Sequence, residues 1–440
     1  MEFAPVNTTG NFRSLKFIKY LREFNIEPIV VTFKEAEGAE YFSSKIDPGL
    51  LSDIPEGTSI YRVHCEDGTR FYGSRLQSFL TIYFSIKDSF ARRWRKFLLP
   101  ELDEIIKRHQ PKMIITSLPP YSAGMLTVEV SRKYKLPMIV DMRDLYARWG
   151  NNPFGSIIHY WLTYRDEKKI FSHAVSIIGV TPQLLQIFKS SHPSISPLKF
   201  HLIPNGFDVM NDLLPDFSFA GKKGKVVIGY VGSFYYQPES REQIFKPWWK
   251  KRGHKMLTYT PVKEDWLYRS PYFFLKAISI LFQDQPQYRK IVSIEFVGRI
   301  PDWLHAMVKE FKLVSSVTLH GFVSHEEASN IQRNFDVMLA TSEKVLEEEH
   351  YSLPSKIFDY VVQSKPILGF VTNGIQKDFI LESGAGIICD PDQPEEAARQ
   401  IQSLLESGMH FTLNNQYLQT FKRRNLTQKL ANLILKNMAK

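Results

Sequence analysis

The sequence has 440 residues, enough for two or three domains of about 150 residues each. Hydrophobic residues make up 43% and charged residues 23%, a balance that is typical of globular proteins and excludes a disordered chain. No uninterrupted apolar stretch reaches the roughly 18 residues that a membrane-spanning helix needs.

Cysteine content and net charge narrow the possible classes of protein and of binding partner further. Cys65 and Cys389 are the only cysteines, which excludes a disulfide framework and a cysteine zinc site and favours a reducing cytoplasm. The 56 Lys and Arg residues exceed the 46 Asp and Glu residues, giving a net charge of +10. Such a charge favours an anionic partner: nucleic acid, an acidic membrane surface or a phosphorylated small molecule.

Short β-rich segments alternate with helical segments, which predicts parallel α/β sheets. Phe12, Leu15, Ile18 and Leu21 recur every three residues and predict the first helix. The predicted strands of the first half are Pro28–Phe33, Ser59–Val63, Lys112–Thr116, Pro137–Asp141, Ala174–Gly179 and Phe200–Ile203.

A second alternating set follows a polar segment. We predict a first domain over 1–208, a linker over 209–225, and a second domain over 226–410 with an insertion at 237–269. Residues 411–440 are predicted to form a C-terminal helix that returns to the first domain. The predicted strands are Lys225–Val231, Val292–Val297, Ser316–Leu319, Asp336–Ala340, Pro366–Phe370 and Gly386–Cys389, with helices at Tyr272–Gln283, Pro301–Phe311, His325–Arg333, Ser355–Gln363 and Pro394–Glu406.

The first helix follows a small polar loop, Asn7–Gly10. Backbone N–H groups in such a loop are open to a phosphate or hydroxyl, but a helix N-cap with a turn glycine is the more common explanation of such a loop. Only Met1–Ala4 precede Pro5, too few residues for the buried strand that normally opens a doubly wound domain. We therefore expect the first strand to be missing and Met1 to be internal to a longer product; the alternative is a sheet that lacks this strand.

Two carboxylates and a guanidinium end the apolar strand Met138–Val140. Asp141, Arg143 and Asp144 lie where ligands bind in doubly wound sheets. A structural ion pair is the alternative. A paired acid and base of the glycoside-hydrolase type is a weaker one, because the i, i+3 spacing does not fix the separation of the carboxylates.

Two segments of the second half suit an anionic ligand. Gly229–Phe234 ends a strand with a small-residue turn that lacks the full dinucleotide-binding pattern. In Ser352–Tyr360, Pro354 suits a helix start, and Ser355 and Lys356 then lie in a first turn that attracts phosphate. Asp359, one turn later, could accept hydrogen bonds from ribose hydroxyls. An ordinary capped helix is the alternative.

Several motifs in chain order resemble a known family. The chain resembles the retaining, nucleotide-sugar-dependent glycosyltransferases of family 4. The motifs that carry the resemblance are IPNGFD, GYVGSF, LHGFVSHEE, PSKIFDYVVQSKPILG and AGIICDPDQPEEAA, with PVNTTGNFRSLKFIKYL and VDMRDLY earlier in the chain. The resemblance covers nearly the whole chain apart from the insertion. It implies the GT-B fold, in which two Rossmann-like, doubly wound α/β domains face a cleft.

The resemblance also implies a donor site in the second domain. Asp359 stands where the family usually has a ribose-binding Glu, and Tyr351 stands where it has another Glu. The implied donor-binding residues are Gly232, Ser233, Arg299, Ser355, Lys356 and Asp359, with Arg299 and Lys356 as the diphosphate cations. Neither a metal nor another cofactor is expected.

The first domain would then bind the acceptor. The implied acceptor-binding residues are Asn7, Thr8, Thr9, Gly10 and Ser117, and the implied catalytic residues are Asp144 and Arg143. The resemblance predicts transfer from a UDP- or GDP-sugar to a saccharide or lipid-linked acceptor, with retention, in cell-surface polysaccharide or glycolipid synthesis.

Other functions stay open at the level of sequence. One is an epimerase or hydrolase of the same fold, and another is a non-catalytic nucleotide-sugar-binding protein, which Tyr351 favours. No specific nucleic-acid binding is expected, because a basic protein binds nucleic acid weakly at low salt in any case.

A membrane surface is a further predicted partner. Arg92, Arg93, Arg95 and Lys96 stand beside Phe90, Trp94 and Phe97, as in interfacial segments, and Lys246–Lys255 is a second basic, Trp-containing stretch. Solvated helix faces are the alternative. These features predict a cytoplasmic protein that associates peripherally with the inner face of the membrane.

Overall fold

A computed structural model describes residues 3–7, 9–34, 45–65, 75–84, 90–150, 153–208, 217–218, 224–407 and 410–438. The chain forms two compact units. Unit 1 comprises Met1–Asp208, Arg252–Pro261 and Phe421–Lys440; unit 2 comprises Val209–Lys251 and Val262–Thr420. Most of the predicted linker, residues 209–216 and 219–223, lies outside the described residues.

Unit 1 is built on parallel strands. Strands β2 and β4 form one parallel pair, and β5, β6, β7 and β8 form a four-stranded parallel sheet in that order. Strands β1 and β3 form a short antiparallel pair, and no strand in the described residues joins β2 to β5. The bounds are β1 Val6–Asn7, β2 Ile29–Phe33, β3 Lys45–Ile46, β4 Ser59–Val63, β5 Ile114–Leu118, β6 Met138–Met142, β7 Ser176–Gly179 and β8 Phe200–Leu202.

Apolar clusters join the helices of unit 1 to its strands, and two of them involve the sheet residues most directly. One cluster joins α3 and α4 to Phe33 and Val63, and the other joins α1 and α16 to Ile139 and Ile178. Helix α16, at the C-terminal end of the chain, thus contributes to the core of unit 1. The bounds are α1 Thr9–Leu21, α2 Arg75–Phe84, α3 Phe90–His109, α4 Ser122–Tyr134, α5 Ile157–His173, α6 Pro182–Ser191 and α16 Arg423–Met438.

The basic stretch of α3 is not the aromatic surface patch that the sequence predicted. Trp94 is only 3% exposed and packs in the first of these clusters, and Phe97 is partly buried against it. The Arg95 guanidinium is paired with Glu129. Two of the three aromatic residues of the predicted patch, Trp94 and Phe97, therefore face the core and not a membrane surface, whereas the side chain of Phe90 is not described.

Unit 2 contains a six-stranded parallel sheet. Its spatial order is β13-β12-β10-β14-β16-β17, which is 3-2-1-4-5-6 in order along the chain, the arrangement of dinucleotide-binding folds. The order reverses between β10 and β14, where such sheets bind ligands. The strand bounds are β9 Phe217–Ser218, β10 Val226–Val231, β11 Glu264–Asp265, β12 Val292–Val297, β13 Val317–Gly321, β14 Val337–Thr341, β15 Lys344–Val345, β16 Ile367–Phe370, β17 Gly386–Cys389 and β18 His410–Phe411.

Helices alternate with these strands, as predicted. Strands β12 and β17 have the predicted bounds, and the other main strands differ by one or two residues at an end. The helix bounds are α7 Pro238–Phe245, α8 Tyr272–Asp284, α9 Tyr288–Ile291, α10 Asp302–Glu310, α11 His325–Arg333, α12 Lys356–Val362, α13 Ile375–Glu382, α14 Pro394–Ser407 and α15 Asn415–Gln419.

The predicted insertion is divided between the units. Its central part, Arg252–Pro261, is in unit 1, where the backbones of Tyr259 and Phe154 form an antiparallel bridge. The strand β11 within the insertion pairs with β15 in unit 2.

Candidate functional site

A glycine turn follows the first strand of the unit 2 sheet. Gly232 has φ +126°, and its N–H donates to the carbonyl of Val297 at 2.8 Å. Gly298 has φ +137°, and a Cβ there would collide with the carbonyl oxygen of Gly232. Both positions therefore need glycine, and the turns after β10 and β12 touch each other at the carboxyl edge of the sheet.

Lys356 reaches this turn from the start of α12. Its Nζ donates to the Tyr230 hydroxyl at 2.8 Å and to the carbonyl of Val231 at 3.2 Å, and lies 4.1 Å from the centre of the Tyr230 ring. A Cβ on Gly232 would lie 2.6 Å from this ammonium. The structure thus brings Gly232 and Lys356 together at the point where the strand order reverses.

The other predicted donor residues surround the turn along the chain. Ser233 follows Gly232, and its carbonyl accepts from the Tyr230 hydroxyl at 3.3 Å. Arg299 follows Gly298 and is exposed, with no hydrogen-bond or ion-pair partner in the described part of the chain. Ser355 is the residue before α12, and Asp359 is exposed one turn into it. The structure thus places the Lys356 ammonium at the glycine turn, with Arg299 next to Gly298 in the chain, and a glycine turn with cations nearby is suited to an anionic group.

A buried ion pair that the sequence analysis missed follows strand β14. Arg269 Nη1 lies 2.5 Å from Glu343 Oε2, and His350 Nε2 lies 3.2 Å from Glu343 Oε1. Burial disfavours the Glu343 carboxylate, but the charge of Arg269 and then that of His350 outweigh it and hold its pKa below the usual range. Burial likewise opposes the Arg269 charge, and Glu343 outweighs it, so the pKa of Arg269 is raised. The one feature of the sequence that pointed to this ion pair is Glu343, a charged residue shortly after the predicted buried strand Asp336–Ala340.

Tyr351 also has an unpredicted partner. Its hydroxyl donates to Glu264 Oε1 at 2.8 Å, and the Trp266 indole N–H donates to Glu264 Oε2 at 2.9 Å. Glu264 lies in β11 of the insertion and is fully buried. A carboxylate is therefore present beside Tyr351, contributed by a residue 87 positions earlier in the chain.

In unit 1, Asp141 is a structural carboxylate. It is 2% exposed, and the Arg13 guanidinium donates to both of its oxygens, with Arg13 Nη2 2.8 Å from Oδ1. The hydroxyl of Ser117, which lies opposite Asp141 in the sheet register, donates to Oδ2 at 2.8 Å. Arg13 also donates to the carbonyls of Ile203 and Pro204, so this group joins α1, β5, β6 and the end of β8.

The predicted catalytic pair follows directly after Asp141. Arg143 is half-buried, and its guanidinium donates to the carbonyls of Leu118, at 3.2 Å, and Pro119. A Cβ on Gly10 would overlap that guanidinium, so the structure brings Gly10 and Arg143 together. Asp144 is exposed.

Two further predicted acceptor residues, Asn7 and Thr9, precede Gly10 in the chain. Asn7 ends β1 and Thr9 begins α1, but their side chains are not described. Thr8 lies outside the described residues. Their assignment to acceptor binding stays a prediction.

A second buried group holds the loop after Asp144. Glu167 Oε2 accepts from the backbone N–H of Ala147 at 3.1 Å, and Glu167 Oε1 lies 2.7 Å from His192 Nε2. Tyr121 stacks on Tyr146 with ring centres 4.1 Å apart, and its hydroxyl donates to the carbonyl of Leu145 at 2.6 Å. Burial, and then the charge of Asp144, raise the pKa of Tyr121 well above its ordinary value.

The described residues contain no group of three or more His, Cys, Asp or Glu side chains that could hold a metal ion. Among the helices described, none has the length and apolarity to cross a membrane.

Part of unit 2 matches a known protein family, and solved structures resemble the whole chain. Residues 268–407 match the family model of the glycosyl transferases group 1. HepE of Anabaena, solved with UDP, is 13% identical, with 99% of this chain and 100% of that chain covered and a TM-score of 0.57. The lipopolysaccharide outer core galactosyltransferase WaaB, in its apo form, is 10% identical over 99% of this chain and 98% of that chain, with a TM-score of 0.54. The fold is GT-B.

Within that fold the chain has two Rossmann-like domains, so the predicted fold class is confirmed. HepE has also been solved with UDP and glucose, at 12% identity over 99% of this chain and 98% of that chain, with a TM-score of 0.56. No curated protein matches the chain. The match of residues 268–407 supports a glycosyltransferase and covers β12 to β17, including Lys356 and Asp359.

Proposed function

We propose that the protein is a retaining glycosyltransferase that moves a hexosyl group from a UDP- or GDP-sugar to an acceptor hydroxyl. The observation that carries the proposal is the contact of Gly232, Gly298 and Lys356 at the point where the strand order of the unit 2 sheet reverses. Ligands of doubly wound sheets bind at such points. The match of residues 268–407 to the glycosyl transferases group 1 supports glycosyl transfer as the chemistry of this site.

In the donor site, the diphosphate lies on the glycine turn. The ammonium of Lys356 and the guanidinium of Arg299 stabilise the negative charge that develops on the leaving nucleoside diphosphate. Asp359 accepts hydrogen bonds from the ribose hydroxyls. That HepE binds UDP and UDP-glucose supports a uridine nucleotide as the first choice of donor.

The acceptor site is assigned to unit 1. Asp144 is the polar group that faces the acceptor hydroxyl. Arg143, which lies beside Gly10, orients Asp144 or an acceptor phosphate. Asn7, Thr8, Thr9 and Ser117 are the other acceptor-binding residues. In this mechanism the acceptor attacks from the side on which the diphosphate leaves, which retains the anomeric configuration.

The proposed setting is the cytoplasmic face of the membrane. There the enzyme would use a saccharide or lipid-linked acceptor in cell-surface polysaccharide or glycolipid synthesis. The net charge of +10 supports a phosphorylated donor and an anionic surface as partners.

A panel of UDP-, GDP- and ADP-sugars in a thermal-shift assay tests the donor site. A ligand at 100 times its dissociation constant adds about 2.7 kcal/mol to stability, which raises the midpoint by a few degrees. Stabilisation by one nucleotide class supports the proposal, and no stabilisation by any of them contradicts it.

The reaction itself is tested with the donor that binds. Turnover that requires an added acceptor supports a transferase, whereas equal turnover of donor alone identifies a hydrolase or epimerase. NMR of the product's anomeric proton tests retention.

A further inference from the structure

Unit 1 exposes an apolar surface on two adjacent helices. On α2, Leu76 is 67% exposed and Leu80 is 47% exposed. On α5, Ile157, Ile158 and Trp161 are 51%, 50% and 58% exposed. Exposed apolar side chains that cluster in this way mark an interaction surface, whereas scattered ones do not.

The two helices are joined where one ends and the other begins. The Ser156 hydroxyl caps α5 by accepting from the N–H of His159, and it donates to the carbonyl of Tyr83 in α2 at 2.5 Å. A Cβ on Gly155 would collide with the carbonyl of Ile82. The exposed apolar residues thus lie on two helices in direct contact, and we call them together the α2–α5 face.

Cations continue this face along α5. An α-helix turns about 100° per residue, so residues 157, 158, 161, 165, 168, 169 and 172 fall within an arc of about 120°. Arg165, Lys168 and Lys169 are exposed, whereas Asp166 and Glu167, the acids of this helix, are buried. Along the helix, this exposed side is apolar from Ile157 to Trp161 and positively charged from Arg165 to Lys169. Arg165 also lies 3.6 Å from the buried Asp166.

The charged half of the face surrounds a surface pocket of about 370 Å³. No acidic residue lines it, and its charges are those of one α4 residue and three α5 residues. The lining residues are Arg132, Arg165, Lys168, Lys169, Ser172 and His173. Guanidinium, ammonium and hydroxyl donors around one pocket are suited to a phosphate group.

The central part of the insertion adds to the apolar half. Tyr259 forms a backbone bridge to Phe154, just before α5, and its ring lies 4.9 Å from that of Tyr160. In the same segment of unit 1, Met256 is 45% and Leu257 57% exposed. The sequence of this segment, RGHKMLTYTP, contains two cations and no acid.

We propose that the α2–α5 face binds the surface of an anionic lipid bilayer. Its apolar half enters the headgroup region, and its cations contact lipid phosphates. Trp161 lies on the helix between the aliphatic residues and the cations, as aromatic residues do at membrane interfaces. The absence of exposed acids from α5 provides the charge complementarity that selects an anionic bilayer. The inference deepens the membrane part of the proposed function and does not depend on its catalytic part.

Vesicle flotation of the full chain tests the proposal. We expect the protein to float with vesicles of phosphatidylcholine and phosphatidylglycerol and to stay behind with phosphatidylcholine alone. Replacing Arg165, Lys168 and Lys169 together by Gln should weaken binding by roughly a hundredfold. Replacing Ile158 and Trp161 together by Ser should abolish flotation. The matched control, with exposed Lys290, Lys309 and Lys312 of unit 2 changed to Gln, should float like the parent.

Several results would overturn the proposal. They are no flotation of the parent, equal flotation with both vesicle types, or unchanged flotation of the α5 variants. If the Ser variant instead converts a dimer into a monomer in light scattering, the face is a contact between copies of the chain and the proposal is wrong. Donor binding by each variant, measured by thermal shift, shows separately whether the proposed function holds.

Discussion

At the scale of single residues, the proposed donor site of unit 2 depends on one lysine. Lys356 is the first residue of α12, and its ammonium contacts the strand that precedes the Gly232 turn through two hydrogen bonds and a ring contact. A cation placed this way neutralises an anion on the turn while being held in position by Tyr230. The proposed site therefore combines a backbone cradle with a fixed charge.

We predict that Lys356→Ala and Asp359→Ala each weaken nucleotide-sugar binding. A lost charge-assisted hydrogen bond costs roughly 1.5–3 kcal/mol, which is about a 10- to 150-fold rise in Kd. Isothermal titration with the best donor measures it. Lys365→Ala is the matched control, because Lys365 Nζ donates to the carbonyl of Arg333 at 3.0 Å and is outside the predicted site. Parent-like Kd values for both site variants would show that the donor binds elsewhere.

Glu343 is a buried carboxylate of unit 2 that pairs with the Arg269 guanidinium. We predict that Glu343→Gln lowers the free energy of unfolding by about 3–5 kcal/mol, because it leaves the buried Arg269 charge unpaired. Urea unfolding measures the loss. The double variant with Arg269→Met should recover part of the stability, and equal losses in single and double variants would contradict the ion-pair explanation.

The Arg269–Glu343 ion pair also predicts how the free energy of unfolding depends on pH. The pKa of Glu343 is lower in the folded protein than its ordinary value of 4.5. Its contribution to stability is therefore complete above about pH 4.5 and is lost as the pH falls toward the folded pKa. Urea unfolding at a series of acidic pH values should show a steeper loss for the parent than for Glu343→Gln. Parallel curves would rule out this contribution.

At the scale of elements, α3 shows how a charged sequence can still form a core helix. Its cations and aromatics alternate closely along the chain, but in the helix Trp94, Leu98, Leu102 and Ile105 fall on one buried side. Arg95 and Lys96 are exposed. The composition of this segment suggested a membrane-binding patch, but the helical periodicity of its apolar residues places them in the core of unit 1.

We predict that Trp94→Ala lowers the free energy of unfolding by about 3–5 kcal/mol, because it leaves a cavity in the core of unit 1. Trp249→Ala makes the same chemical change at a side chain that is 65% exposed, and should change it by less than about 0.5 kcal/mol. Denaturant unfolding compares the two. Similar effects from both would mean that Trp94 is not in the core.

At the scale of the whole molecule, the two units are not consecutive in sequence. Helix α16 comes after all of unit 2 and packs in unit 1 against Leu21, Ile139 and Ile178. The central part of the insertion also belongs to unit 1, although the chain on both sides of it belongs to unit 2. Each unit thus depends on segments that are distant along the chain.

We predict that Leu430→Ala, near the C-terminal end, destabilises unit 1 by about 2–5 kcal/mol. Hydrogen exchange should accelerate at the amides of β6 and β7, which α16 covers, because the Leu430 side chain is 2% exposed and part of their core. Leu435→Ala, at a side chain that is 47% exposed, is the control. Unchanged exchange in β6 and β7 would contradict the placement of α16.

The amino-acid sequence by itself determined the main parallel strands and several of the helices between them, because a buried parallel strand needs a short apolar run bounded by turn residues. Thus β12 and β17 have their predicted bounds, and the Gly232 turn lies where the pattern predicted a ligand loop. Tertiary structure alone decided which side chains meet. Glu264 pairs with Tyr351, Arg269 with Glu343 and Arg13 with Asp141 across 87, 74 and 128 positions. Such pairs leave no local pattern, because folding brings their segments together through burial of side chains that are distant in the chain.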